Sequence, residues 1–377
     1  MQCYKESDIL KIAKRINNNK RPYLLVNPLQ AKHIPVSPSE AMEMMTSLGK
    51  LVAEKYSEAR LVIGFAETAT AIGAVVAKTI SDECYYIHTT RENVRNAKEY
   101  AFFSEEHSHA TEQKLVSDDL EKMLSKTETV ILVDDEFSTG KTLINMVNRL
   151  RNDYLVLAEK KIVAASIINR LSEANIQRWH NEKIESVCLL KLPETDYSDY
   201  VNPIAVTAAA IPIGKDIDST TKMTIIKQNF PDPRNGVNVS HYYESCISKV
   251  ALIQKRTDLR DKNVLILGTE ECMLPALLIG KEIENEKEVS SVKCHATTRS
   301  PIGICNVQGY PIRSGFSIPS FYDSNRNTFI YNLQQYDVVI IVSDTTASYE
   351  QALYELSAIL KELGCKEIIC LVGENDV

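Results

Sequence analysis

The sequence lacks any apolar run of membrane-spanning length, and its first residues, MQCYKESDILKIAKRINNNKRPY, are too polar for the core of a secretory signal. It also lacks a basic excess, since 43 lysines and arginines stand against 50 aspartates and glutamates, a net charge of -7. An acidic chain disfavours broad binding to nucleic acid or to an anionic membrane. We therefore expect a cytoplasmic protein with small-molecule partners and with neither a nucleic-acid nor a membrane partner.

Closely spaced cysteines are missing as well. The nine cysteines stand singly, and no Cys-x-x-Cys occurs. This spacing supports neither a zinc site nor a disulfide framework, so we expect reduced thiols. Tryptophan occurs once, as Trp179, and with the scattered tyrosines it predicts no stacking pocket for an aromatic ligand.

Short apolar, β-branched runs alternate with helical stretches from about residue 60. They are RLVIGF, ECYYIHT, TVILVDD and KIVAASIIN in the first half, and NVLILG, VSSVKCHA, DVVIIVSD and EIICLV in the second. Strands alternating with helices are typical of β-α-β units, so we predict the α/β class with two open, mainly parallel sheets. Because proline, glycine, asparagine and aspartate cluster between residues 212 and 240, we place the domains at 1–225 and 236–377.

The two halves also repeat one another. Landmarks recur in the same order at an offset of 204 to 209 residues. The matched positions are Gly64 and Gly268, Arg91 and Arg299, Asp134 and Ser343, and Ile162 and Ile368. Two unrelated α/β domains of similar size would share some of this rhythm, but the near-constant offset favours a duplication. We interpret the second domain as a diverged copy of the first.

Residues 129–148, TVILVDDEFSTGKTLINMVN, concentrate the polar chemistry. The apolar residues 130–133 predict a buried strand that ends at Asp134 and Asp135, and ligands of open α/β sheets bind beyond such strand ends. Residues 138–142 predict a turn into a helix, whose first backbone N–H groups can hold a phosphate. Because carboxylates accept hydrogen bonds from vicinal hydroxyls, the pattern suits a hydroxylated ring with a terminal phosphate.

Two other interpretations of this segment exist. The letters GKT occur in nucleoside triphosphatase P-loops, but that motif needs a glycine five positions before Gly140, and position 135 is an aspartate. The second alternative is a strand, turn and helix that bind nothing, with two acids near the helix start.

The string VILVDDEFSTGKT closely resembles the signature of type I phosphoribosyltransferases, which use phosphoribosyl pyrophosphate (PRPP). The resemblance implies a type I phosphoribosyltransferase fold, magnesium as cofactor, and Asp134 and Asp135 as catalytic residues on the ribose hydroxyls. It implies a 5-phosphate loop at residues 138–142. Magnesium would sit mainly on pyrophosphate and ribose oxygens, with the acids in or near its outer shell and no metal bound directly by the protein. The PRPP site would comprise Asp134, Asp135, Glu136, Phe137, Ser138, Thr139, Gly140, Lys141 and Thr142.

Two further segments fit the release of pyrophosphate. Ala66, Glu67 and Thr68 lie in a turn that resembles the pyrophosphate loop of these enzymes, although an ordinary strand-to-helix turn is the alternative. Arg91, which follows the next strand, is a candidate catalytic residue because a guanidinium can pair bidentately with a diphosphate. A surface ion pair is the alternative for Arg91.

The segment RNAKEYAFFSEEHSHAT occupies the place of the hood loop that closes over PRPP in type I phosphoribosyltransferases. By that resemblance Glu106, His107, Ser108 and His109 would reach the pyrophosphate. The two histidines also fit metal ligands or solvated loop residues.

Taken together, KHIPVSPSE, HTTR, EEHSHAT and DDEFSTGKT resemble a bacterial phosphoribosyltransferase family fused to a C-terminal TRSP domain. The name-giving motif occurs here within HATTRSPIG. The family implies an association with tellurite-resistance or stress-type gene clusters and a nucleotide-like product. We predict that Thr297, Thr298, Arg299 and Ser300 bind a phosphorylated or carboxylated ligand; a purely structural or dimerising domain is the alternative.

The resulting hypothesis is an enzyme that transfers a 5-phosphoribosyl group from PRPP to an unidentified small-molecule acceptor. A PRPP- or nucleotide-binding regulator without transferase activity is one rival, and the polar hood segment favours the enzyme. An enzyme that runs the transfer in reverse or uses water as the acceptor is the other. The resemblance leaves a homodimer open, and no segment of the sequence identifies the acceptor.

Overall fold

The structure is a computed structural model that describes residues 3–103, 113–212, 222–286, 288–347 and 349–374. The strands of these residues are β1 Lys11–Lys14, β2 Tyr23–Val26, β3 Leu61–Gly64, β4 Tyr85–His88, β5 Tyr100–Phe103, β6 Gln113–Val116, β7 Thr129–Phe137, β8 Lys161–Asn169, β9 Ile184–Lys191, β10 Lys222–Gln228, β11 Val237–Asn238, β12 Asn263–Gly268, β13 Ser291–Ala296, β14 Gly315–Pro319, β15 Asn327–Tyr331, β16 Val338–Val342 and β17 Glu367–Gly373. The helices are α1 Glu6–Ile9, α2 Pro38–Tyr56, α3 Thr70–Ile80, α4 Leu120–Leu124, α5 Lys141–Asp153, α6 Glu173–Asn181, α7 Ser198–Val201, α8 Val239–Ile247, α9 Val250–Gln254, α10 Leu274–Asn285 and α11 Glu350–Glu362.

The chain divides into two compact units, neither of which is continuous in sequence. Unit 1 comprises Met1–Lys5, Met42–Thr195 and Pro231–Tyr243. Unit 2 comprises Glu6–Ala41, Asp196–Phe230 and Glu244–Val377. This division differs from the single boundary expected from the sequence, because segments from both sides of residues 225–236 pack into each unit.

Unit 1 is built on a six-stranded sheet in the order β11-β4-β3-β7-β8-β9. The strands from β4 to β9 are parallel, and β11 pairs with β4 in the antiparallel direction. The central strands are buried on both faces, as their unbroken apolar runs predict. On one face of β7, Val130 and Leu132 share a core with apolar residues of α5 and with Trp179 of α6.

Helix α3 covers the opposite face of this sheet at short range. A Cβ atom added at Gly73 would lie 3.1 Å from the Cα atom of Gly64, at the end of β3. The glycines therefore let the helix backbone approach the strand directly, as the small-residue composition of α3 predicts.

Unit 2 is built on a five-stranded, wholly parallel sheet in the order β10-β17-β16-β12-β13. Its strands β13, β12, β16 and β17 follow the chain order of β4, β3, β7 and β8, so the two sheets share the order second, first, third, fourth. Helix α11 shares a core with one face, and the opposite face lies against α10, where Cys294 Sγ donates to the carbonyl oxygen of Ala276 at 3.4 Å. The predicted fold class, α/β with two mainly parallel sheets and a second diverged copy, is confirmed.

Each unit takes its edge segment from the other half of the sequence. Val237 of β11 pairs with Tyr86 in unit 1, and Val36 pairs with Cys294 in unit 2. The two pairings correspond, since Tyr86 and Cys294 lie at the same place in β4 and β13. This exchange explains why a single point in the sequence does not separate the units.

No helix among the described residues combines the length and the apolar character needed to cross a membrane.

Two histidines of unit 2, His33 and His295, are buried. They lie near the sheet edge where Val36 pairs with Cys294 of β13. The ring nitrogen Nε2 of His295 lies 2.7 Å from the carbonyl oxygen of Tyr331 and donates to it. Burial lowers the pKa of His295 to about 4, and burial together with the charge of Lys32 lowers the pKa of His33 well below its usual value. Both rings are therefore neutral at pH 7.

These pKa shifts make unit 2 sensitive to acid. A histidine whose pKa is lower in the folded than in the unfolded chain contributes full stability above pH 6.5 and loses it as the pH falls towards 4. For His295 the loss amounts to about 3 kcal/mol. His295→Gln, which keeps a donor for Tyr331, should reduce the acid-induced loss of hydrogen-exchange protection in β13. An unchanged dependence on pH would contradict the assignment.

Candidate functional site

The carboxyl ends of the parallel strands in unit 1 meet at one edge of the sheet. The loop after β3, the corner after β4 and the segment after β7 all start there, where open α/β sheets bind their ligands. The backbone N–H of Phe65 donates to the carbonyl oxygen of Val133 at 2.9 Å, which fixes the loop of residues 65–69 beside the first acid of β7. The candidate site is therefore built from three segments far apart in sequence.

Strand β7 continues beyond the point where its apolar run ends. The sequence predicts an end at Val133, but the strand reaches Phe137 because its pairing with β8 continues as far as Asn169. On the other side β3 stops at Gly64, opposite Val133. Asp134, the next residue, therefore lies in a strand that is flanked by a paired strand on one side only.

The two predicted catalytic acids are half-buried on this extended strand. The backbone N–H of Asp135 donates to Oδ1 of Asp134 at 2.9 Å, which orients that carboxylate along the strand. Half-burial means that solvent reaches part of each side chain. The geometry is compatible with hydrogen bonds from the hydroxyls of a sugar ring.

Glu136, the third acid of the segment, forms an ion pair within unit 1. Its Oε1 lies 3.2 Å from Nη1 of Arg170, whose side chain is only 3% exposed. Arg170 also donates to the carbonyl oxygen of Thr195, and its own N–H donates to the carbonyl oxygen of Phe137 at 2.8 Å. Sequence reasoning missed Arg170, because an arginine after β8 approaches β7 only through the sheet register.

The segment after β7 turns into helix α5 at Gly140, which has a φ angle of 70°. Ser138, Thr139 and Gly140 are half-buried, Lys141 is exposed, and Thr142 is half-buried. The first N–H groups of a helix lack partners within the helix, so the start of α5 can hold an anion such as a phosphate. The predicted phosphate turn thus lies at the carboxyl end of β7, close to both acids in sequence.

Trp179 supports this turn from below. Its side chain is 2% exposed, and its ring meets that of Phe137 edge to face, with 4.9 Å between the ring centroids. A Cβ atom added at Gly140 would lie 2.4 Å from Nε1 of Trp179. Only glycine therefore fits here, both for its φ angle and for the contact. The lone tryptophan was assigned no role from the sequence, because nothing local shows that α6 packs under a turn 39 residues earlier.

The loop after β3 is held by two side chains of neighbouring strands. The N–H of Ala66 donates to Oγ1 of Thr89 at 2.8 Å, and its carbonyl oxygen accepts from Nε2 of Gln113 at 2.7 Å. Thr89 also donates to the amide oxygen of Gln113. Glu67 is buried, Thr68 is half-buried, and the peptide bond between Ala66 and Glu67 is cis. Thr89 and Gln113 thus fix the backbone of the predicted pyrophosphate loop.

Arg91 lies at the corner after β4 and is half-buried. Its contact with a diphosphate stays a prediction. Its neighbour Thr90 shapes the corner by accepting a hydrogen bond from the N–H of Glu92 at 2.9 Å. The predicted hood residues Glu106, His107, Ser108 and His109 fall in residues 104–112, outside the described part of the chain.

In the described residues, no group of three or more histidine, cysteine, aspartate or glutamate side chains is arranged to hold a metal ion. Two half-buried carboxylates at a sheet edge do not form a protein cage for magnesium. They fit a magnesium ion that keeps several waters and is held mainly by ligand phosphates, as that ion prefers.

The predicted ligand residues of unit 2 are brought together after β13. Thr297 and Thr298 are buried, and Oγ1 of Thr298 accepts from the N–H of Ser300 at 3.2 Å. The guanidinium of Arg299 pairs with Glu270, with its Nε 2.8 Å from Oε2 of the carboxylate. The Arg299 side chain therefore faces the loop after β12.

Comparisons with known proteins agree with this description. Residues 9–192 match a family model described as phosphoribosyl transferase, and residues 233–363 match one described as the TRSP domain C-terminal to that transferase. The two family models thus assign this α/β protein to the phosphoribosyltransferase class. More specifically, the chain belongs to the family that joins a phosphoribosyl transferase domain to a C-terminal TRSP domain.

Several solved phosphoribosyltransferases show structural similarity to the chain. Adenine phosphoribosyltransferase from Trypanosoma brucei matches at 14% identity and a TM-score of 0.36, over 48% of this chain and 76% of its own. The Saccharomyces cerevisiae enzyme matches at 12% identity and 0.34, over 48% and 94%. Orotate phosphoribosyltransferase from Aeropyrum pernix matches at 18% identity and 0.28, over 43% and 76%. No curated protein sequence matches the chain.

The turn at residue 140 yields a test of its support. Gly140→Ala should lower the free energy of unfolding by about 2 kcal/mol or more, because the methyl group meets Trp179 in a left-handed backbone conformation. Gly309→Ala is the matched control, since Gly309 has a φ of 86° and no atom within 4 Å of an added Cβ. Urea unfolding would compare the two variants. Equal destabilisation would show that Trp179 does not restrict the turn.

Proposed function

We propose that unit 1 transfers the 5-phosphoribosyl group of PRPP to a small-molecule acceptor and releases pyrophosphate. The observation that carries the proposal is the convergence of Asp134 and Asp135, the helix start at Gly140 and the loop of residues 65–69 at one sheet edge. PRPP has matching parts: two ring hydroxyls, a 5-phosphate and a diphosphate on C1. The family assignment supports the same substrate.

Each segment has one part of the substrate to bind. The backbone N–H groups and hydroxyls of residues 138–142 hold the 5-phosphate, and the carboxylates of Asp134 and Asp135 accept hydrogen bonds from the 2- and 3-hydroxyls. Ala66, Glu67 and Thr68 form the wall beside the diphosphate, with Arg91 at the same edge. When bound, magnesium neutralises charge on the leaving diphosphate.

In the reaction, the acceptor nucleophile forms a bond to C1 of the ribose while the bond from C1 to the diphosphate oxygen breaks. The electron pair of that bond leaves with pyrophosphate, and the acceptor loses its proton to solvent. Positive charge develops on the sugar in the transition state, and the carboxylates of Asp134 and Asp135 stabilise it by electrostatic attraction. Half-burial strengthens this attraction relative to water.

The product of the proposed reaction is a nucleotide-like metabolite, and its acceptor is a nucleophilic small molecule whose identity the site residues do not define. The association with tellurite-resistance genes stays a prediction from the family resemblance. The cytoplasmic location stays a prediction from the composition.

The double variant Asp134→Asn/Asp135→Asn tests the catalytic role of the acids. Turnover should fall at least about a hundredfold, because neutral amides no longer attract the charge on the sugar. The measurement is pyrophosphate release from PRPP, with magnesium and a panel of candidate acceptors. Asp119→Asn is the matched control, since Asp119 is exposed and its side chain caps no helix.

Activity of the double variant equal to that of the control would refute the role of the acids. A protein that binds PRPP tightly but releases no pyrophosphate with any acceptor would instead favour the regulatory alternative.

A further inference from the structure

The loop after β3 in unit 1 and the loop after β12 in unit 2 are held by matching hydrogen bonds. The N–H of Ala66 donates to Oγ1 of Thr89 at 2.8 Å, and the N–H of Glu270 donates to Oγ1 of Thr297 at 3.0 Å. In both units the threonine is the first residue after its strand. Positions 66 and 270 therefore correspond in space, and their offset of 204 residues agrees with the duplication.

The carbonyl oxygens at these positions also have matching donors. Ala66 accepts from Nε2 of Gln113 at 2.7 Å, and Glu270 accepts from Nζ of Lys32 at 2.7 Å. The two donors come from different elements of the chain, β6 and the segment before α2. In each unit the carbonyl oxygen at this position accepts a side-chain hydrogen bond, although the donor is a glutamine in one unit and a lysine in the other. The two loops therefore share this hydrogen bond.

The arginines after β4 and β13 correspond as well. Thr90 accepts a hydrogen bond from the N–H two residues later at 2.9 Å, and Thr298 does so at 3.2 Å. The backbone of Thr90 bridges to Lys114, and that of Thr298 bridges to Phe329. Arg91 and Arg299, which follow these threonines, therefore leave equivalent corners.

The side chain at position 270 is bound as an anionic ligand would be. The carboxylate of Glu270 is 1% exposed, and it accepts from Nε of Arg299 at 2.8 Å, from Nη2 of Arg326 at 2.7 Å and from Oγ of Ser320 at 2.5 Å. Two guanidinium groups and a hydroxyl around one buried carboxylate form the donor set that also binds a phosphate.

The acid that follows β16 in unit 2 is satisfied internally too. The hydroxyl of Tyr322 donates to Oδ1 of Asp344 at 2.5 Å, and it lies 3.0 Å from Oγ1 of Thr269. Asp344 corresponds to Asp135, since Ser343 corresponds to Asp134. Tyr322, Ser320 and Arg326 all lie between β14 and β15, which correspond to β5 and β6. This segment therefore contacts the acid after β12, Glu270, as well as the acid after β16, Asp344.

Unit 1 has an alanine where unit 2 has Glu270. We infer that the residue at position 66 or 270 decides which crevice accepts a diphosphate: Glu270 fills a latent anion site formed by Arg299, Arg326 and Ser320, whereas Ala66 leaves the equivalent place to the ligand. The inference rests on the proposed function for the identity of the ligand in unit 1. It assigns unit 2 a crevice closed by its own carboxylate.

Reciprocal exchange at the two positions tests this inference, with inorganic pyrophosphate and magnesium as the probe. Ala66→Glu should weaken pyrophosphate binding at least about tenfold in calorimetry, since a like charge next to the diphosphate opposes binding. Ala66→Gln is the control, because it adds the same volume without the charge. Equal binding by the wild type and Ala66→Glu, or equal loss in both variants, would overturn the inference.

The second arm opens the site in unit 2. The wild type should bind one pyrophosphate per chain, and Glu270→Ala should bind two, because the substitution removes the acid that Arg299 and Arg326 share. Glu271, 3.8 Å from Nη2 of Arg299, stays in unit 2, as its counterpart Glu67 stays in unit 1. A folded Glu270→Ala that still binds one overturns the latent site. Loss of a buried carboxylate between two guanidinium groups is destabilising, so Glu270→Gln, which keeps the shape, is measured in parallel. Pyrophosphate should raise the melting temperature of the Glu270→Gln variant more than it raises the melting temperature of the wild type.

The two proposals fail in different ways. A wild type that binds pyrophosphate and responds to the exchange, yet releases none from PRPP, refutes the transferase and leaves the inference intact. A wild type that releases pyrophosphate from PRPP, with Ala66→Glu as active as Ala66→Gln, refutes the inference and leaves the transferase intact.

Discussion

The pairing of β3 with β7 fixes the geometry of the candidate site. Because β3 ends at Gly64, opposite Val133, the next backbone N–H, that of Phe65, still donates to β7, and the chain then turns away into its loop. The acids of β7 begin at Asp134, the residue after Val133. The pairing of these two strands sets where the loop after β3 begins, and Thr89 and Gln113 then hold that loop by hydrogen bonds. Helix α5 follows the other end of the same strand β7.

The two units show how one framework serves two different interiors. Both units keep the strand order, the glycine that ends the first strand and the threonine that accepts a hydrogen bond from the loop. Both also have an arginine at the next corner. The side chains that face the crevice have diverged. A carboxylate at position 270 attracts Arg299 and Arg326 within unit 2, and such a buried group is stable only when it is paired in this way.

Much of this organisation could be predicted from the sequence, and the exceptions have physical causes. The apolar runs identified the strands of both sheets, and the constant offset identified the duplication. The end of β7 was misplaced, because a change from apolar to acidic residues marks the end of burial, whereas hydrogen bonding to β8 continues to Phe137. The division into units was also different, because the segments around Val36 and Val237 pair with strands of the other half.

The class of fold and the segment at residues 134–142 could be recognised from the amino-acid sequence, because a buried strand followed by acids and a glycine turn is a local pattern. The distant residues that support this segment are visible only in the folded chain: Trp179 under Gly140, Arg170 beside Glu136, and Thr89 with Gln113 around Ala66. The same holds for the pairing of Arg299 with Glu270. The reason is that parallel strands bring together residues dozens of positions apart, and their partners are set by sheet order and register, which no local pattern encodes.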